Sequence, residues 1–267
     1  MKALLLLLAL LAPQQPEVEV FRGVTAPPLP DDVTPRELVS RFVQSDWLTI
    51  RQAEWYLESR QEKGVPELLA LLDRDEVVRL QNTADLIYPG AETFYGHGTI
   101  NPYDLDYLPA RAGWALEEMT FQDFGFQGSE IREETLLKQV RTLEGDVPIA
   151  KVVPPETKPR RERFQPAIRR VRDWWRSEGK RWNRLAALRA ALDSGDPKRQ
   201  MKALTWLRFG TTKCDGLSPE LYARDLKPRV QKLVQSSDSG VRQQAELLAK
   251  DSGMWWAYKT DPTLRNW

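Results

Sequence analysis

SPELYARDLKPRVQKLVQSSDSGVRQQAELL, residues 218–248, is the stretch whose reading decides the fold. Ser218 before Pro219 is a helix start, because a serine side chain caps free backbone N–H groups and proline fits the first turn. Leu226, Val230, Leu233 and Val234 then recur at three- and four-residue spacing, which predicts an amphipathic helix. Ser236-Ser237-Asp238-Ser239-Gly240 breaks it, and Val241, Ala245 and Leu248 restart the same period. The stretch therefore reads as helix, acidic turn, helix.

The unit recurs just upstream. Leu185, Leu188 and Leu192 lead into Asp193-Ser194-Gly195-Asp196-Pro197, after which Ala203, Leu204 and Leu207 follow. Ser194 and Ser237 lie 43 residues apart, within the period of paired-helix repeats. The turn at 238–240 followed by Val241-Arg242 and Ala245, and the Asp196-Pro197 turn followed by Arg199 and Ala203, resemble HEAT repeats. Val78-Arg79 after Asp73-Arg74-Asp75 is similar. The chain as a whole also resembles exported bacterial proteins with degenerate HEAT-like helices and Trp-rich helices, a likeness that implies no activity. What the resemblance implies is an all-α fold: an α-solenoid of HEAT-like antiparallel helix pairs, interrupted by an irregular aromatic and Gly-rich insert.

Further toward the N-terminus, Thr34-Pro35-Arg36-Glu37 forms a capping box opening a helix with Leu38, Val39, Phe42 and Val43 on one face. Ile50, Ala53 and Leu57 predict a second helix, and Leu68, Leu69 and Leu72 a third. Val77, Leu80, Ala84 and Ile87 hold helical spacing and predict a fourth. A helix from Ser129 through Leu137, Val140 and Leu143 is expected to end at Gly145. The prolines at 148, 154, 155, 159 and 166 predict a linker or surface loop over 146–166. The expected organisation is a signal peptide at 1–12, a Pro-rich leader at 13–33, an N-terminal helical unit at 34–145 with an insert at 88–128, the linker, and a C-terminal HEAT-like unit at 167–267.

The signal-peptide reading rests on Met1-Lys2-Ala3 followed by eight apolar residues and Ala12-Pro13. This run is about half of the ~20 residues that span a bilayer, so the chain is read as exported to the periplasm or beyond, and as no integral membrane protein once cleaved. Without cleavage the protein would be cytoplasmic. Composition agrees with a soluble globular chain: of 267 residues 41% are hydrophobic, 39 are Lys or Arg and 38 Asp or Glu, and the mean hydropathy is −0.53. One Cys and one His exclude a disulfide framework and zinc-finger sites. Cys214 is read as a buried small thiol. Nucleotide-binding and common hydrolase motifs do not occur, and no cofactor is expected.

Charge is unevenly spread. Residues 17–149 hold 25 acidic and 12 basic side chains, whereas residues 158–189 hold 12 basic and three acidic. Arg169, Arg170 and Arg172 with Trp174 and Trp175 are candidate binding residues, since clustered arginine neutralises phosphates and tryptophan stacks on bases. The bland reading is a solvated helix face that meets the acidic half.

The insert at 88–128 carries nine of the 25 aromatic residues and six of the 15 glycines. Three readings fit it. Tyr95, His97, Tyr103, Tyr107 and Trp114 form a recognition surface on a helical frame. Alternatively, His97 with Asp104 and Asp106, and Glu118 as base, forms a metal-assisted hydrolytic site. On the structural reading, Ala112, Ala115, Leu116 and Met119 face a core, Phe121, Phe124 and Phe126 enter it, and Arg111 pairs with Glu118. Taken together, the sequence predicts an exported, non-catalytic scaffold that binds another macromolecule, in the first place a protein of the cell envelope. Polyanion binding through 158–189 and hydrolysis centred on His97 are the alternatives.

Overall fold

The computed structural model describes residues 18–21, 24–30, 32–81, 91–93, 103–126 and 157–250. The expected signal peptide, the helix from Ser129 to Gly145 and the tail beyond Lys250 lie outside these residues. What is described is mostly helical. Helices α1 (Pro35–Phe42), α2 (Trp47–Ser59) and α3 (Val65–Leu71) follow a short ribbon of β1 (Val18–Phe21) and β2 (Val24–Ala26). The capping box forms as read: Thr34 Oγ1 accepts from the Glu37 N–H while Glu37 Oε2 accepts from the Thr34 N–H.

The helix expected after Asp75 is instead strand β3 (Val77–Gln81). It pairs antiparallel with β5 (Tyr103–Tyr107), Val77 opposite Tyr107 and Gln81 opposite Tyr103, and β4 (Ala91–Thr93) pairs with the other edge of β5. Adjacent β-branched Val77 and Val78 fit a pleated surface, and pairing with a distant strand overrides three- and four-residue spacing in a short apolar run. The insert is therefore in part a sheet. It continues directly into α4 (Leu108–Thr120), whose apolar face packs on α3 and α2.

Part of the expected linker is also helical. Helix α5 (Thr157–Glu178) contains Pro159 and Pro166. Pro159 falls in the first turn, where no N–H partner is lost. Pro166 costs an internal hydrogen bond, but Phe164, Ala167, Ile168 and Val171 are buried around it, and their burial holds the helix through the proline. These four side chains belong to the core built by α1–α4, while Phe121, from the end of α4, lies in the core of the C-terminal helices against Trp206. The two cores are thus interlocked across the expected boundary.

The C-terminal pairs match the sequence reading. Helix α6 (Arg184–Leu192) is capped by Asn183 and α7 (Pro197–Phe209) by Asp196. Then come α8 (Pro219–Leu221), a π-helical turn (Tyr222–Leu226) and α9 (Lys227–Leu233), then α10 (Ser239–Lys250). The wide turn precedes Pro228, which lacks the N–H that an α-turn needs. Packing has a regular direction. Arg189 meets Asp225 at 2.5 Å and Asp193 meets Arg229, so α6 and the α8–α9 segment run parallel. Met201 lies beside Gly240 and Arg208 Nη1 donates to Gln244 Oε1 at 3.0 Å, so α7 and α10 run parallel too. Among the described residues no helix is long and apolar enough to cross a membrane.

Candidate functional site

The residues singled out in the insert divide sharply. Tyr95 and His97 lie outside the described residues. Tyr103, Asp104 and Asp106 sit in β5, opposite Gln81, Leu80 and Val78. Among the described residues no group of three or more His, Cys, Asp and Glu is disposed to hold a metal ion. Tyr107 is 1% exposed, donates its hydroxyl to Asp75 Oδ1 at 3.0 Å and stacks on Phe164. Trp114 is 8% exposed and belongs to the N-terminal core. A recognition surface therefore cannot use Tyr107 and Trp114 as outward anchors: burial of aromatic area has already been spent on packing. Phe124 and Phe126 are core residues as well.

The basic helix is the part that stays outside. Arg169 and Arg172 are exposed, and Trp174 and Trp175 are half-buried. Trp174 lies 5.7 Å from Trp175, 6.3 Å from Trp182 and 5.4 Å from Phe124 between ring centres, which places a tryptophan cluster at the C-terminal end of α5. Arg170 Nε donates to the Phe124 carbonyl at 2.8 Å and thereby ties α5 to the end of the insert. Arg172 pairs with Asp73, Arg161 with Asp75 at 3.8 Å, Arg176 with Asp173 and Arg181 with Glu178 at 3.8 Å. The bland reading of this block thus holds in part, since two of its arginines meet the acidic turn before β3.

A second grouping was missed in the sequence. Four cations and four carboxylates lie along the seam that α2 and α4 form with each other and with α6 and α7, Arg184 and Lys202 coming from the latter pair. Glu54, 3% exposed, accepts from Arg51 Nη1, and the Arg51 guanidinium lies 5.4 Å from the Trp47 ring and 6.0 Å from that of Trp114. Glu58 takes Arg184 Nη2 at 3.2 Å, and Arg184, fully buried, also donates to the carbonyls of Glu58 and Lys213. Lys202 reaches Glu118 at 2.7 Å and Glu117 at 3.6 Å. Arg111, expected to pair with Glu118, is fully buried and donates to the carbonyls of Phe42 at 2.5 Å and Gln44 at 2.9 Å, which satisfies the end of α1, while Glu118 takes Lys202.

Burial governs the chemistry of this seam. It drives the Glu54 carboxyl up to about 7, against the pull of Arg51 and with the push of Glu58 and Glu118; Arg111 pulls the other way. Although Glu54 is ion-paired, desolvation outweighs the pair because the carboxylate has left water completely. Glu117 is raised as well, again by burial first, opposed by Lys202 and by the backbone N–H groups of Phe126 and Phe124. Those two N–H groups bond Glu117 Oε1 at 3.0 and 2.7 Å and fold the 121–126 segment back over α4. In the sequence, the signal was the pair Glu117-Glu118 on an otherwise apolar helix.

No family model, no curated protein and no solved structure matches this chain.

Proposed function

We propose that this protein is an exported, non-catalytic scaffold that binds another macromolecule, a protein of the cell envelope, and that its contact face is the C-terminal half of α5. The observation that carries the reading is the cluster of Trp174, Trp175 and Trp182, half-buried beside exposed Arg169, Arg172 and Arg176. Tryptophan and arginine together are the side chains that dominate the energetics of protein interfaces. On this reading α6–α7 and α8–α10 are two HEAT-like pairs of a short α-solenoid. Its support is the parallel course of α6 with α8–α9 and of α7 with α10, which is how successive repeats stack.

Polyanion binding through the same block is the less supported reading, because Asp73, Asp75, Asp173 and Glu178 already hold four of its arginines. The test is site-specific photo-crosslinking from position 176 in the native host, compared between the wild type and the Arg169→Glu/Trp175→Ala variant. One discrete protein adduct, lost in the variant at unchanged melting temperature, supports the reading. Equal adducts in both, or retention on heparin that vanishes with salt and no protein adduct, refutes it.

A further inference from the structure

We propose that Glu54 is a proton-operated latch on the seam between the N-terminal helices and the α6–α7 pair, closed when the carboxyl carries a proton and loosened when it does not. Glu54 lies on the N-terminal side of this seam, on α2, where the charged groups that act on it come from its own helix and from α4. One carboxylate oxygen accepts from Arg51, and Oε1 has no hydrogen-bond partner among the described residues although the side chain is almost wholly buried. An anion held in that way gains free energy from water, and the seam has to part to admit it. A protonated carboxyl makes no such demand.

The groups around Glu54 connect it to the far side. On its own helix these are Arg51 and Glu58, and on α4 they are Arg111 and Glu118. Both carboxylates among them also grip the C-terminal pair: Glu58 holds Arg184 of α6, and Glu118 holds Lys202 of α7. Negative charge on Glu54 repels both. Ionisation therefore acts on two of the ion pairs that cross the seam as well as on the α2–α4 contact, and Lys202 passes the effect to Glu117, its second partner. A carboxyl that titrates near 7 when buried and near 4.5 in water makes the open form more favoured as pH rises between those values. The full shift is on the order of a hundred-fold in the open-to-closed ratio.

The experiment is amide hydrogen exchange on the whole chain from pH 5.5 to 8.5, corrected for intrinsic exchange rates, with Glu54→Gln and Glu117→Gln beside the wild type. In the wild type, protection of α2, α4, α6 and α7 should fall roughly ten-fold or more as pH rises. Glu54→Gln should lose most of this fall, keeping only the part that the raised Glu117 carboxyl contributes, and Glu117→Gln should keep most of it. A wild type flat over this range, or a Glu54→Gln variant that falls as far as the wild type, overturns the latch. Should Glu54→Gln not fold, carboxyl-carbon NMR of the wild type decides: the Glu54 resonance must titrate near neutrality, and one that stays unchanged from pH 5.5 to 8.5 overturns the proposal.

Discussion

Arg184→Met tests how the seam is held. The arginine is fully buried, bonds the Glu58 carboxylate at 3.2 Å and the carbonyls of Glu58 and Lys213 at 3.2 and 3.1 Å, and lies over the rings of Phe121 and Trp206. Methionine keeps much of the apolar stem and so much of the ring packing, but it removes the charge and every donor. Breaking a buried ion pair by deleting one partner costs about 3–5 kcal/mol, chiefly through the charge left behind. Glu58 keeps 14% of its side chain exposed, so water recovers part of that loss, and the lower end, about 3 kcal/mol, is expected. In a chain of this size that is a fall in melting temperature of roughly 6–12 °C. The companion variant Arg184→Met/Glu58→Gln removes the stranded charge and should regain about 1–2 kcal/mol. Urea denaturation followed by tryptophan fluorescence measures both. A single variant within about 1 kcal/mol of wild type, or a double variant no better than the single, refutes the reasoning.

Gly113→Ala places a Cβ 2.3 Å from the Phe126 ring, and although alanine favours a helix by about 1 kcal/mol, overpacking is expected to win with a net loss of about 1–3 kcal/mol. A thermal melt at or above the wild-type value would show that Phe126 has somewhere else to go. Lys202→Met takes from Glu117 the cation that holds its carboxyl down, so that group rises further. A raised carboxyl contributes most at low pH, and the contribution is lost as pH rises through the folded-state value. The variant should therefore melt lower than wild type at pH 8 and close much of the gap at pH 5; a gap independent of pH would contradict this.

The legible part of the fold is the part set by short-range rules. Thr34, Asn183, Asp196 and Ser218 cap the helices that follow them, and the apolar spacing of Leu38, Ile50, Leu68, Leu204, Val230 and Val241 marks the faces that are buried. Val77–Gln81 reads as helix in the sequence because Val77, Val78 and Leu80 are too few to carry a decisive period, and β5, more than twenty residues away, supplies the hydrogen bonds that make it a strand. Helix α5 was misplaced for a related reason: proline count is local, whereas the burial of Phe164, Ile168 and Val171 that outweighs Pro166 comes from the rest of the core.

The candidate site divides in the same manner. The gathering of arginine and tryptophan over residues 158–182 could be read from the sequence, because charge and residue type lie along the chain. The seam could not: Arg51, Glu54, Glu58, Arg111, Glu117, Glu118, Arg184 and Lys202 are ordinary surface residue types, scattered over 150 positions. For α1–α3, α6, α7 and α10 the amino-acid order by itself marked a helix and its apolar face, and Thr34, Asn183 and Asp196 marked where three of them start, since caps and periodicity act over a few residues. Only the tertiary structure decided that Tyr107 and Trp114 go inward and that Glu54, Glu117, Arg111, Arg184 and Lys202 are buried, because burial is a property of the packed whole and not of any segment.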